Sequence, residues 1–78
     1  MKKVQVLGVG CPKCVQTAEH AVAAAKALAL EIELVKVKTP SEIAQFGVLS
    51  TPALVVEGKV KVAGRVPSVD EIRRWLSE

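Results

Sequence analysis

Aromatic side chains are almost missing from this sequence: Phe46 and Trp75 are the whole set, and there is no Tyr. Single-stranded nucleic acid is held by bases stacked on aromatics within a basic groove. Here eleven Lys and Arg are interspersed with eight Asp and Glu for a net charge of +3. The mixing is visible at Glu31, Glu33, Lys36 and Lys38, so nucleic-acid binding is not expected. Long apolar runs are missing too. No stretch reaches the roughly 18 residues of a membrane-spanning helix. The apolar run after Met1-Lys2-Lys3 is broken by Gln5 and ends at Gly8, unlike a signal peptide. Neither membrane nor export is expected, and the cytoplasm is the default compartment. Paired thiols there serve catalysis or metal binding more often than structure. Asn is absent and Met occurs once, a balance compatible with heat stability.

What is present fits one small α/β domain over residues 1–78, half of it apolar. A chain this short buries only roughly 60% of the surface its unfolded form exposes, so its margin is thin. Lys2 to Leu7 alternates, with Val4 and Val6 on one side and Lys3, Gln5 and Leu7 on the other, which reads as a strand. Gly8 and Gly10 end it with backbone angles closed to other residues. Pro12 suits the first turn of a helix, whose pattern runs from Val15 to Leu30. Val15, Ala18, Val22, Ala25 and Ala29 make an apolar stripe widened by Ala21 and Leu28, opposite Gln16, Glu19, His20, Ala23 and Lys26. Glu31 to Val37 reads as a second strand and Ser41 to Phe46 as a short helix stopped by Gly47. Ala53 to Val56 and the cleanly alternating Lys59 to Ala63 form a hairpin around Glu57-Gly58. Ser68, with Glu71 three residues on, opens a last helix that places Ile72, Trp75 and Leu76 on one face. The order is βαβαββα, and the long first helix implies a parallel pairing of the first two strands.

Both cysteines lie in Gly8-Val9-Gly10-Cys11-Pro12-Lys13-Cys14, at the turn from strand to helix. A Cys-x-x-Cys in that setting is a redox motif or a soft-metal site. Cys11 falls at the helix N-terminus, where unpaired N–H groups and the macrodipole favour a thiolate, and Lys13 adds a cation. Its pKa is expected to move from about 8.5 toward neutrality. Cys14 falls a turn deeper and is expected to be more buried, within disulfide reach of Cys11. In the redox reading Cys11 attacks a partner disulfide and Cys14 resolves the mixed disulfide. No cofactor is needed. In the metal reading the pair fills half of a tetrahedral zinc site or holds two-coordinate Cu(I). The single histidine, His20, falls on the polar face of the helix and reads as a surface residue rather than a ligand.

Ser50-Thr51-Pro52 precedes the third strand, a position that suits proline. Taken with the cysteine turn, Ala53-Leu54-Val55-Val56, and Gly58 to Gly64 followed by the helix Ser68 to Leu76, the whole chain resembles the thioredoxin-like superfamily. It is most similar to the small, glutaredoxin-sized redox-active disulfide proteins. The resemblance implies a minimal thioredoxin/glutaredoxin-like fold, with a four-stranded mixed sheet in the order 2-1-3-4. The first and third helices would cover one face and the second helix the other. It implies a protein disulfide oxidoreductase with a Cys11–Cys14 redox disulfide supported by Gly10, Pro12 and Lys13, and no metal or cofactor. It also implies a cis Thr51–Pro52 bond facing the cysteines, with Thr51 pairing to substrate backbone. Protein disulfides and a thioredoxin-reductase-like electron donor are the implied partners.

The departures are local. Gly10 stands where larger thioredoxins have Trp, and no carboxylate lies in Lys2 to Leu7. Val9 replaces the lysine of glutaredoxins, and Gly64-Arg65 replaces their glycine pair, so glutathione is a doubtful partner. Arg65 is expected to be solvated. Small copper chaperones also place Cys-x-x-Cys after a first strand, but they run βαββαβ and end on a strand, against the helical ending here.

Overall fold

The computed structural model describes residues 1–10 and 12–78. The expectations for Cys11 and for a Cys11–Cys14 bond lie outside the described residues. The elements are β1 (Lys2–Leu7), α1 (Pro12–Ala27), β2 (Ile32–Val37), α2 (Pro40–Gln45), β3 (Ala53–Val56), β4 (Lys59–Ala63) and α3 (Val69–Ser77).

The strands form one four-stranded sheet in the order β2-β1-β3-β4. β1 and β2 are parallel, with Val4 beside Leu34 and Val6 beside Lys36. β3 is antiparallel to β1, and β4 to β3. This is the mixed 2-1-3-4 sheet that the family resemblance implies. Alternation along β1 sends Val4 and Val6 to one face and Leu7 to the other. Val4, Val6, Leu54, Val56 and Val62 pack with Ala18, Ala21, Ala24 and Ala25 of α1 and with Ile72 and Leu76 of α3. On the opposite face Leu7, Val37, Ala53 and Val55 pack with Ile43 of α2 and with Val48. The Ser68 hydroxyl accepts from the Glu71 N–H, and the Glu71 carboxylate accepts from the Ser68 N–H, closing the capping box of α3. Among the described residues, no helix is long and apolar enough to cross a membrane.

Three local expectations are corrected. The buried face of α1 is Cys14, Thr17, Ala18, Ala21, Ala24 and Ala25, not the stripe through the valines. Val15 and Val22 are 48% and 38% exposed. Alanine recurs so often in α1 that the helix can rotate and present its smallest side chains to the sheet and to α3, leaving the valines on the flank. The helix also ends at Ala27 rather than Leu30. The Leu30 N–H reaches the Ala25 carbonyl (2.9 Å) and the Ala29 N–H the Lys26 carbonyl (3.0 Å), with Ala29 at φ +52°. This is a Schellman stop with Ala where Gly is usual. Finally, β4 does not alternate cleanly. The register shifts after Leu54 pairs with Val62, and Val55 pairs with Val60. Lys61 is the extra residue of a β-bulge. Glu57 and Gly58, both at positive φ (51° and 81°), make the tight turn before it.

Candidate active site

The carboxyl ends of the parallel strands β1 and β2 meet the start of α1, at the edge where open α/β sheets gather their ligands. The Gly8 N–H donates to the Val37 carbonyl (2.9 Å), which carries the ladder one residue past β1. Gly8 is buried, and its φ is not in the left-handed region. Its lack of a side chain serves close approach instead. A Cβ on Gly8 would overlap Cys14 Sγ, and would lie 3.2 Å from Cys14 Cβ and 3.8 Å from Thr51 Cβ. Three segments distant in sequence thus converge on one backbone position. Gly10, at φ +91° with nothing near its open side, is the glycine whose conformational freedom the turn uses.

Cys14 is 5% exposed, on the inner face of α1. One turn on, Thr17 is fully buried, and its hydroxyl donates to the Lys13 carbonyl (2.9 Å), which fixes the first turn that carries the motif. Pro12 and Lys13 are exposed. The Thr51–Pro52 bond is cis, with Thr51 exposed and Pro52 buried. The Pro52 carbonyl accepts from the Gly64 N–H (2.9 Å). Gly64, at φ +86°, leaves only 3.2 Å between a built Cβ and Ser50 Cβ. The exit of β4 thereby holds the Ser50-Thr51-Pro52 segment in place.

A pocket of about 110 Å³ opens beside the thiol, lined by Val6, Gly8, Gly10, Cys14, Val15, Lys36 and Lys38. Its walls are apolar, and its two charged residues, Lys36 and Lys38, are both cationic.

A family model described as a thioredoxin domain matches residues 2–77. The chain belongs to the thioredoxin domain family. A protein named thioredoxin from Methanothermobacter thermautotrophicus is 38% identical over 77 residues, covering 99% of this chain and 100% of that protein. One of the same name from Methanocaldococcus jannaschii is 38% identical over 76 residues, covering 97% of this chain and 87% of that protein. These likenesses support a thioredoxin-like redox function and do not favour the soft-metal alternative.

In this member of the thioredoxin family, two residues sit differently from expectation. His20 is half-buried, and its Nδ1–H donates to the Pro67 carbonyl (2.8 Å). It fastens α1 to the segment before α3. Arg65 is not simply solvated. Its guanidinium makes a two-pronged pair with the Glu71 carboxylate at 2.8 and 2.6 Å. The capping box has already oriented that carboxylate. Arg65 and the Ser68 N–H together hold the Glu71 carboxyl down from 4.5 to about 2. Among the described residues, no cluster of three or more His, Cys, Asp or Glu side chains is placed to hold a metal.

Lys36, Lys38, Gly64 and the packing role of Gly8 were not picked out by sequence reasoning. Lys36 and Lys38 carried one usable signal: they stand at the carboxyl end of a parallel strand. Gly8 and Gly64 carried none, since contact between distant segments leaves no local pattern.

Proposed function

We propose that the protein is a thiol–disulfide oxidoreductase that exchanges electrons with protein disulfides through Cys11-Pro12-Lys13-Cys14. The observation that carries this reading is the Cys14 thiol buried against Gly8 with Thr51 alongside. A sheltered second thiol is what a resolving cysteine needs: it stays out of reach of substrate and acts only within the mixed disulfide. The Cys11 thiolate attacks one sulfur of a substrate disulfide. That bond breaks, a Cys11–substrate disulfide forms, and the departing thiolate takes up a proton. Cys14, having lost its proton, then attacks Cys11 Sγ. The Cys11–Cys14 disulfide forms and the second substrate thiolate leaves. Two electrons pass from the dithiol to the substrate, and a thioredoxin-reductase-like donor restores the dithiol.

In this proposal residues 1–78 form the single working domain, in the cytoplasm, with no cofactor. Gly10 gives the turn its shape, Pro12 starts the helix, and Lys13 supplies positive charge near the attacking sulfur. Thr51 and Pro52 form the wall along which a substrate strand lies. Glutathione is not the proposed partner, and the pairing of Arg65 with Glu71 supports that choice.

The test is reduction of insulin disulfides with dithiothreitol as electron source. Wild type turns over, Cys11→Ser does not, and Cys14→Ser accumulates a mixed disulfide. Equal inactivity of wild type and Cys11→Ser, together with tight Cu(I) binding by two thiolates, would replace this reading with the metal one. The reduction potential of the pair sets the direction, with about −270 mV marking a reductant and about −120 mV an oxidant.

A further inference from the structure

Val15 and Val22 lie two turns apart on the exposed flank of α1. Valine is a poorer helix former than alanine because its β-branch loses χ1 freedom. In an alanine-rich helix, two half-exposed valines weaken the element that carries them and leave much of their apolar surface in water. They do, however, line a groove. Val15, Ala18 and Val22 form one wall and Leu34 of β2 stands opposite, in an open depression of about 450 Å³. Lys26 and Lys36 border it, with Glu19 the one acidic side chain in its lining. At one end the groove runs into the Cys14 pocket, because Val15 and Lys36 line both and Lys38 extends the positive charge there.

We infer that this groove between α1 and β2 docks an acidic, apolar segment of the disulfide partner, guiding it toward the cysteine turn. The inference rests on the oxidoreductase reading above. Charge decides the occupant. A second copy of the chain docked by two-fold symmetry would bring the same lysines together from both sides, whereas alternating apolar and acidic side chains meet both the floor and the rim. Rim charges of this kind act mainly on encounter rate and on discrimination between partners.

The experiment uses two synthetic disulfide-bridged peptides, one with its cysteine flanked by alternating Val and Glu and the other by alternating Val and Lys. The full chain is kept reduced by dithiothreitol. The expected result is a preference for the Glu peptide of roughly tenfold in kcat/KM at low salt, shrinking as ionic strength rises. Val22→Ser combined with Lys26→Glu is expected to abolish or invert that preference. Val22→Ala with Lys26→Gln, both good helix formers, secures the comparison if the first pair disturbs folding. Equal rates for the two peptides, or a preference unchanged in both variants, overturns the groove. So does a dimer in sedimentation equilibrium that Val22→Ser dissociates, since the occupant would then be a second copy. Failure to reduce insulin and both peptides overturns the oxidoreductase reading itself.

Discussion

The sulfur of Cys14 occupies the space where a side chain on Gly8 would begin. The contact joins the end of β1 to the first turn of α1, and it sets the depth at which the second thiol lies. Gly8→Ala places a methyl group on that sulfur. Overpacking of this kind costs about 1–3 kcal/mol, while the entropy an Ala removes from the unfolded chain returns only about 0.4–1 kcal/mol. Overpacking wins, and melting is expected several degrees lower. Insulin reduction measured well below the melting temperature should fall as well, with the mixed disulfide accumulating, because Cys14 is pushed from its seat.

The Arg65–Glu71 pair predicts an acid dependence. The folded-state pKa of Glu71 is depressed from 4.5 to about 2, so the stability it contributes is complete above about 4.5. That contribution is lost as pH falls from there toward 2. Arg65→Gln should flatten the fall in melting temperature across this window by lowering the melting temperature above about pH 4.5 while changing little at pH 2 and below. The pair is at the surface, so salt near 1 M, with a Debye length of about 3 Å, should flatten wild type in the same way.

Ala29 offers a gain. A non-glycine residue in the left-handed region carries roughly 1–2 kcal/mol of steric strain, and Ala29 sits there at φ +52° to close the stop of α1. Ala29→Gly should raise stability by about 1 kcal/mol, or about 4–8 °C in a domain of this size by calorimetry. A neutral or lowered melting temperature would mean that the extra freedom of Gly in the unfolded chain outweighs the strain.

His20→Ala removes the link to the Pro67 carbonyl. A hydrogen bond of this kind contributes about 0.5–1.5 kcal/mol, so a small drop in melting temperature is expected. Zn²⁺ and Cu(I) affinity, titrated on reduced protein, should be the same with and without the imidazole. A loss of affinity would make His20 a ligand and revive the metal reading.

Where a pattern was local, the sequence carried it to the structure. The alternation of Lys2 to Leu7 and the Ser68–Glu71 capping box appear as read, because each depends on residues within a few positions of one another. The sheet order followed from chain order and from the family resemblance together. The face of α1 was not legible. Its alanines are nearly symmetric around the helix, so only packing against the sheet and α3 could choose Thr17 and Ala24 over Val15 and Val22. The bulge at Lys61 was hidden for a related reason, since Lys59 to Ala63 alternates in sequence whether or not one residue is skipped. At the site, Cys14, Thr51 and Pro52 stood out by residue type. Gly8 was visible only as a turn former, although Cys14 is what excludes a side chain there, and the tight approach of Gly64 to Ser50 was hidden behind its turn-forming φ.

The hairpin turn of Glu57 and Gly58 has a consequence in covalent chemistry. Both positions are in the left-handed region, where Asn followed by Gly is the pair that fits with least strain. That pair is also prone to lose its side-chain amide through ring closure onto the next backbone nitrogen, and heat speeds the loss. A glutamate at position 57 accepts conformational strain and removes the labile amide. With no Asn anywhere in its 78 residues, the chain carries no asparagine to deamidate, and this hairpin turn does not age by that route.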